Sequence, residues 1–546
     1  MKNVVKIILS ILLLSPLTFS LSPLFAQTLN VKVGNVTYQF PADQAGKMTY
    51  SNGTTLTIMG KVFNLSEVDN MYVDETAVTN NLVSIVYSTS SASVTVAGNV
   101  AQYVEPTLDG AHVTILSTNT DAVWEDEITY QLSGSSSNGS FDLGGSYKST
   151  VSLAGVTLTN PSGAAINITN SKRIQLSAKK NTVNTLTDGA SGSQKACIYS
   201  KGQLQLQGYG TLNVVGKTKH GIKSASYISI KNLTLNITST VSDGINCEEY
   251  MEIKSGTITL SGIGDDGIQC DLGGTVSTGI TTDHEDEDTG NIYISGGTLT
   301  VNCEYKGIKA EGDLQISDGT IAVTSNAAAS SNQSHWGGSS SSAPEAIESK
   351  GAMTISGGQI YAKSADDAIN SGGDMTVTGG YIFAYSTNND GMDANGNMYI
   401  KGGLVYAIGS KSPEMALDAN TEQGKKLYIS GGTIIAVGNL ESGASISGGT
   451  CKSTTSWTAN SWYALYNGST LVAAFKTPAK STSTGGGPGG GSSSQKLVVY
   501  TSSTPALKSG VTVSGGTSYF DGMANIGGTV SGGSTVPLST YSSSGW

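Results

Sequence analysis

Arginine is nearly missing from this chain: Arg173 stands alone among 546 residues, and Lys and Arg together number 30 against 41 Asp and Glu. The formal net charge is −11 and the sequence pI near 4.9. Nucleic acids and anionic membranes are recognised by clustered cations, so this balance argues against both as partners and favours cations as ligands. Beyond residue 26 no apolar run is long enough to span a bilayer, and no cysteine follows the leader to take a lipid, so membrane insertion is not expected. Cysteine is scarce too. Five in an exported chain of this length do not make a disulfide framework. Cys247 and Cys270 fall at the same point of a repeat and read as small apolar side chains stacked in a core, with a bond between them an open alternative. The four histidines, His112, His220, His284 and His335, show no paired metal spacing, and the cysteines show no zinc pattern.

Glycine, by contrast, is abundant at 70 residues, and 24 tyrosines accompany many Ser and Thr, a composition of short strands and frequent turns. Residues 1–26, "MKNVVKIILSILLLSPLTFSLSPLFA", place Lys2 and Lys6 before an apolar run and a small-residue cleavage site after Ala26. That is the pattern of a signal peptide, and it predicts a secreted chain, extracellular or at the cell surface. From about residue 219 the chain repeats in steps of roughly 23. "KHGIKSAS", "SDGINCEE", "DDGIQCDL", "YKGIKAEG", "PEAIESKG", "DDAINSGG", "NDGMDANG" and "EMALDANT" align. Each later copy is followed by a phrase such as "MTISGGQIYAKS" or "MYIKGGLVYAIG". Three short alternating strands and three corners per copy predict an all-β fold, a right-handed parallel β-helix of about ten coils spanning 81–450. In "MTISGGQIYAKS" the inward set is Met353, Ile355, Ile360 and Ala362. A small β module is expected over 27–80, with Asn52-Gly53 as a turn, and a β hairpin around Asn467-Gly468 with a Gly/Ser-rich loop over 451–546, capping the solenoid edge.

Equal positions of successive coils stack into ladders, so the columns of the alignment are spatial rows. The position before the small residue reads His220, Asp243, Asp266, Lys306, Glu345, Asp367, Asp390, Met415, and three residues on it reads Lys223, Asn246, Gln269, Lys309, Glu348, Asn370, Asp393, Asp418. The Gly or Ala between them is expected to point outward. Stacked carboxylates repel unless a cation lies between them, and calcium accepts six to eight oxygens in loose geometry. Candidate ligands are Asp243, Asp265, Asp266 and Asp271 in one group, and Asp366, Asp367, Asp390, Asp393 and Asp418 in a second. Ordinary Asp-Gly turn chemistry is the plain alternative. The acidic run from Asp283 to Asp288 lacks EF-hand spacing and reads as a solvated loop. Tyr361, Tyr381, Phe383, Tyr385 and Tyr406 are expected outside the coils, where flat rings could stack on sugars, or else form a ladder covered by the C-terminal segment. Catalysis has little support. Lys306 and Lys309 are the candidates for a lyase base, with charge compensation inside the ladder as the competing role.

The "DGI" corners, the "ISGGTI" strands, the acidic insert before "NIYISGGTLTV" and the late "GSTLVAAFK" hairpin together resemble a family of secreted bacterial carbohydrate-binding β-solenoids. That family is itself similar to parallel β-helix polysaccharide lyases. The likeness covers roughly 81–530. It implies calcium held at Asp243, Asp265, Asp266, Asp367, Asp390 and Asp393 and a polysaccharide partner, cellulose or an acidic plant glycan. Lys306, Glu345 and Met415 depart from the acidic pattern and interrupt a continuous row of ions. The expected function is non-catalytic extracellular carbohydrate binding on a calcium-stabilised β-helix, with a calcium-dependent pectate-type lyase and a structural adhesin without glycan ligand as the alternatives.

Overall fold

In the computed structural model, residues 27–120, 126–238, 241–274, 287–328, 343–410, 414–480 and 495–542 are described. The leader at 1–26, most of the acidic insert and the Gly/Ser-rich run at 481–494 lie outside them. The chain divides into two compact units, one comprising 27–80 with 96–102 and the other 81–95 with the rest of the chain from 103.

In the first unit Thr28–Val33 pairs antiparallel with both Val36–Pro41 and Asn70–Asp74, and Thr49–Ser51, Thr55–Ile58 and Lys61–Asn64 form a three-stranded meander. Phe63 sets its ring edge-on to Tyr38 and Phe40, closing a small core. Asn52 and Gly53 both take positive φ, 54° and 68°, the paired left-handed conformation of a tight hairpin turn.

The second unit is a parallel β-solenoid of about 12 turns. The expected ten fall about two short: Ala111–Ser117 and Gly139–Gly145 stack in parallel register ahead of Ile166–Ile168 and extend the solenoid toward its start. One coil shows the plan: Met353–Ile355 lies on a first face, Gln359–Ser364 on a second and Ile369–Ser371 on a third. The next coil repeats it in parallel register, with Met353 beside Met375, Ile360 beside Ile382 and Ile369 beside Met392. Alternate side chains point inward, and Met353, Ile355, Ile360, Ala362 and Ile369 are fully buried. A corner of two glycines joins the first face to the second. Gly358, Gly380 and Gly403 adopt φ of 83°, 86° and 79°. A Cβ on Gly357 would lie 2.1 Å from the Ser317 carbonyl oxygen, so neighbouring corners stack backbone on backbone.

Both ends of the stack are paired rather than open. Val104–Asp109 folds back antiparallel on Ala111–Ser117 at one end. At the other, Leu497–Thr501 pairs antiparallel with Thr433–Val437 and Thr450–Thr454. Six other C-terminal strands build an antiparallel sheet around the Trp462–Asn467 and Thr470–Lys476 hairpin. All five cysteines are free and buried. Cys247 and Cys270 stack in register with sulfurs 3.3 Å apart, well beyond the about 2.05 Å of a disulfide. No helix among the described residues is long and apolar enough to cross a membrane.

Candidate functional site

The acid-glycine corners join the second face to the third. In each, the residue before the small one offers its backbone carbonyl to the glycine amide of the coil before it: Gly221 donates to Asp243, Gly244 to Asp266, Gly267 to Lys306 and Gly307 to Glu345. The small residue points inward, not outward as its alternation suggests. A Cβ on Gly244 would meet Leu260 Cδ2 at 2.5 Å, and one on Gly307 would meet Val323 Cγ1 at 1.9 Å. The chain turns sharply here, so two successive positions, Gly244 and Ile245, both face the core. Glycine is required by packing, and the acid beside it is left at the rim.

At that rim the carboxylates of Asp243, Asp265 and Asp266 converge, with one oxygen of each within 4.8 Å of the other two; among the described residues no other trio of His, Cys, Asp or Glu does so. Asp243 and Asp266 are buried and Asp265 half-buried. His220 Nδ1 lies 3.2 Å from Asp243 Oδ2, the Asn246 amide donates to the same oxygen at 2.8 Å, and the Lys306 backbone amide donates to Asp266 Oδ1 at 2.9 Å. Burial, and then the nearby Asp243 and Asp265 charges, push Asp266 up to about 7 against the pull of the Lys306 amide. Burial and Asp243 raise Asp265 as well. Asp271 stands apart from the trio, accepting from Asn246 at 3.2 Å and from Gln269.

One coil further the ladder changes sign. Lys306, 3% exposed, pairs with Glu345 and lies 2.9 Å from Glu348, which also pairs with Lys350. Burial would lower the Lys306 pKa, but Glu345 and Glu348 outweigh it and hold the ammonium above the ordinary lysine value. Glu345 is pushed up to about 7 by burial, against Lys306, while at Glu348 burial is overcome by Lys306 and Lys350 and the pKa falls. Lys309 faces Glu311 at 3.9 Å.

Beyond this centre the second acidic group is linked through amides rather than gathered around one point. Asn370 Nδ2 donates to Asp367 Oδ2 and to Asp393 Oδ2, both at 3.0 Å. The Asp390 amide donates to Asp367 Oδ1 at 3.0 Å, the Met415 amide donates to Asp390, and Asn389 Nδ2 donates to Asp366 Oδ1 at 2.6 Å. Asp367 and Asp390 are raised well above the carboxylate range, first by burial and then by neighbouring carboxylates. Asp393 is raised to about 7 by burial and Asp366, and Asp418 to about 11 by burial and a hydrogen bond with Glu441. Glu441 closes this row and had no marker in the repeat alignment, since it follows the last full copy.

The aromatic residues do lie outside the coils, opposite inward Ile360, Ile382 and Val405, but they do not form an open face. Phe383 and Tyr406 are 0% exposed, covered by Phe475, Leu465 and Phe520 of the C-terminal segment. Phe383 stacks on Phe520 at 5.4 Å, and Tyr406 donates its hydroxyl to the Lys476 carbonyl at 2.7 Å. Tyr361, Tyr381 and Tyr385 pack partly buried against the same cluster. The assignment of Phe383 and Tyr406 to a free sugar-stacking surface is therefore corrected: both are buried beneath the C-terminal segment, where covering large rings removes apolar area from water, while Tyr361, Tyr381 and Tyr385 keep part of their surface exposed.

Two open features were not singled out from the sequence. Tyr399 and Tyr428 stack at 5.1 Å and 10° on the first face, with Lys401 Nζ 5.0 Å from the Tyr399 ring and Tyr428 37% exposed. The paired phrases "NMYIKGG" and "KLYISGG" carry this signal. A groove also runs over the Gly-Gly corners, between Gly296 and Tyr381. Its glycines carried no chemistry of their own in the sequence.

The family model of a carbohydrate-binding domain-containing protein matches residues 109–391, just over half of the chain. The chain belongs to this carbohydrate-binding family. Among solved structures it is similar to a polysaccharide lyase-like protein from C. thermocellum, a gadolinium derivative, with 19% identity over 45% of this chain and 92% of that one and a TM-score of 0.36. No curated protein matches it. The region matched by the carbohydrate-binding family contains the Asp243–Asp265–Asp266 trio, the Lys306 centre and Asp366, Asp367 and Asp390. Asp393, Asp418, Glu441 and the C-terminal sheet lie beyond it.

Proposed function

We propose that this protein binds polysaccharide outside the cell without transforming it, on a solenoid stabilised by calcium. The carboxylate trio carries the reading. Two oxygens on one calcium lie no further apart than twice the ion–oxygen distance of about 2.4 Å, a limit that Asp243, Asp265 and Asp266 meet, and the all-oxygen donor set suits a hard cation. Bound there, calcium would neutralise charges that burial otherwise drives toward protonation. Asp271 and the acids from Asp366 to Asp418 are proposed as further oxygen donors, joined to their neighbours through Asn246 and Asn370. Export is supported by the leader at 1–26, and the glycan partner by membership of a carbohydrate-binding family. The absence of a reaction is supported by Lys306: a base must give up its proton, and two buried glutamates hold this one on.

The test is retention on insoluble cellulose and on immobilised polygalacturonate, with and without a calcium chelator. Retention on at least one glycan is expected, and the chelator is expected to lower both retention and the melting temperature. Loss of retention on every glycan would favour an adhesin. Release of ultraviolet-absorbing unsaturated product from polygalacturonate would favour a lyase.

A further inference from the structure

The groove over the Gly-Gly corners has a volume of about 520 Å³ and lies between the first and second faces. Gly297, Gly319, Gly358 and Gly380 supply its floor, all with positive φ, so the floor is backbone without side chains. A Cβ on Gly358 or Gly380 would come within 2.9 or 2.8 Å of the preceding corner's carbonyl oxygen, which keeps side chains out of it. Along one wall Thr298, Thr320, Gln359 and Tyr381 stack in register on four successive strands. Three steps of about 4.8 Å give a run of about 14 Å, the reach of an oligosaccharide rather than one sugar. The first three side chains are exposed and end in hydroxyl or amide groups. The fourth, half-buried Tyr381, is braced by Tyr519 at 5.0 Å and closes the run with an aromatic ring.

The charges select the ligand. Asp318 is the one acidic side chain among the described residues lining the groove, and no Lys or Arg is among them. Asp318 Oδ1 accepts the Gly319 amide at 2.7 Å, which fixes the carboxylate and leaves its other oxygen for an outside donor. A carboxylate, two hydroxyls and an amide suit a chain of sugar hydroxyls, while a uronate would meet Asp318 with no compensating cation.

We propose that this groove is a binding site for a neutral, hydroxyl-rich glycan chain lying along the solenoid axis, with Tyr381 as the stacking ring and Asp318, Thr320 and Gln359 as hydrogen-bonding groups. The proposal rests on the carbohydrate-binding reading above and adds the place, the residues and the choice of a neutral over an acidic glycan.

Affinity electrophoresis of the full chain, in gels holding hydroxyethyl cellulose or polygalacturonate, tests it. Thr320→Arg fills the groove from an exposed position, and Tyr381→Ala removes the ring; thermal melting of Thr320→Arg checks that the fold is kept. Both variants are expected to bind the neutral glycan at least about tenfold more weakly than wild type, the scale of one stacking contact. The migration of Tyr381→Ala in polygalacturonate, where the charges are unchanged, is expected to match wild type. Wild type retarded by the neutral glycan, with both variants retarded equally, overturns the groove alone. So does loss of binding in Tyr428→Ala while the groove variants bind normally. Wild type retarded only by polygalacturonate overturns the neutral ligand. Wild type retarded by neither glycan overturns the carbohydrate-binding reading and this one with it.

Discussion

Lys306 shows how one residue alters a ladder. It brings a positive charge into a column of acids, where Glu345 and Glu348 enclose it at 3% exposure. Lys306→Met leaves buried Glu345 without its cation and Glu348 with Lys350 alone, and breaking a buried pair on one side costs about 3–5 kcal/mol. The loss depends on pH. Glu345 is raised from 4.5 to about 7, so its contribution to stability is fully present below about 4.5 and fades as pH rises through 7. Without Lys306 that raising grows, so denaturant melts should show the variant most destabilised at pH 8 and close to wild type near pH 4.5. Adding Glu345→Gln is expected to restore part of the loss at pH 8. An equal deficit at both pH values would mean that Lys306 acts through packing alone. The columns containing these residues were legible in the sequence because a repeat makes neighbours of equal letters. The direction of the glycine beside each acid was not, because strict alternation fails where the chain turns and Gly244 and Ile245 both face the core.

At the level of strands and corners, the Gly-Gly turns set the spacing of the solenoid. Gly357→Ala would place a methyl 2.1 Å from the Ser317 carbonyl oxygen, and that oxygen belongs to stacked backbone that cannot move alone. Overpacking of this kind costs roughly 1–3 kcal/mol. Because each coil contacts chiefly its neighbours, the damage should remain local. Hydrogen exchange is expected to quicken in Leu314–Ser325, Met353–Ile355 and Met375–Val377, while Ile174–Ala178 keeps its protection. Uniform quickening along the whole stack would contradict this nearest-neighbour picture. Strands and corners were the most legible features of the sequence, since inward Met353, Ile355, Ile360 and Ala362 follow from alternation alone. The aromatic ridge was half legible. Alternation puts Phe383 and Tyr406 outside the coil, but what lands on them is a sheet built from residues 462–536, a long-range contact with no local signature. The Gly-Gly groove escaped notice for the opposite reason, since its floor is made by residues that have no side chains to read.

For the solenoid unit as a whole, its last coil depends on a covering that the repeats themselves cannot supply. Thr433–Val437 is paired on its far side by Leu497–Thr501, and the six-stranded sheet lies over Phe383, Tyr406, Ile408, Ile435 and Val437. A chain ended after Thr454 loses both. It would expose an unpaired strand edge beside a contiguous apolar patch, in which each large side chain forfeits about 1.5–3 kcal/mol of burial. Such a surface seeks another copy of itself. In size-exclusion chromatography the truncated chain is therefore expected to elute as dimers or larger aggregates. Adding Ile435→Lys to it, which sets a charge on the bared face beside the open edge, should return much of the material to monomer. A truncated chain that elutes as monomer without that substitution would mean that the coils close their own edge, leaving the C-terminal sheet a role other than covering, such as forming the Tyr381–Tyr519 end of the glycine-floored groove.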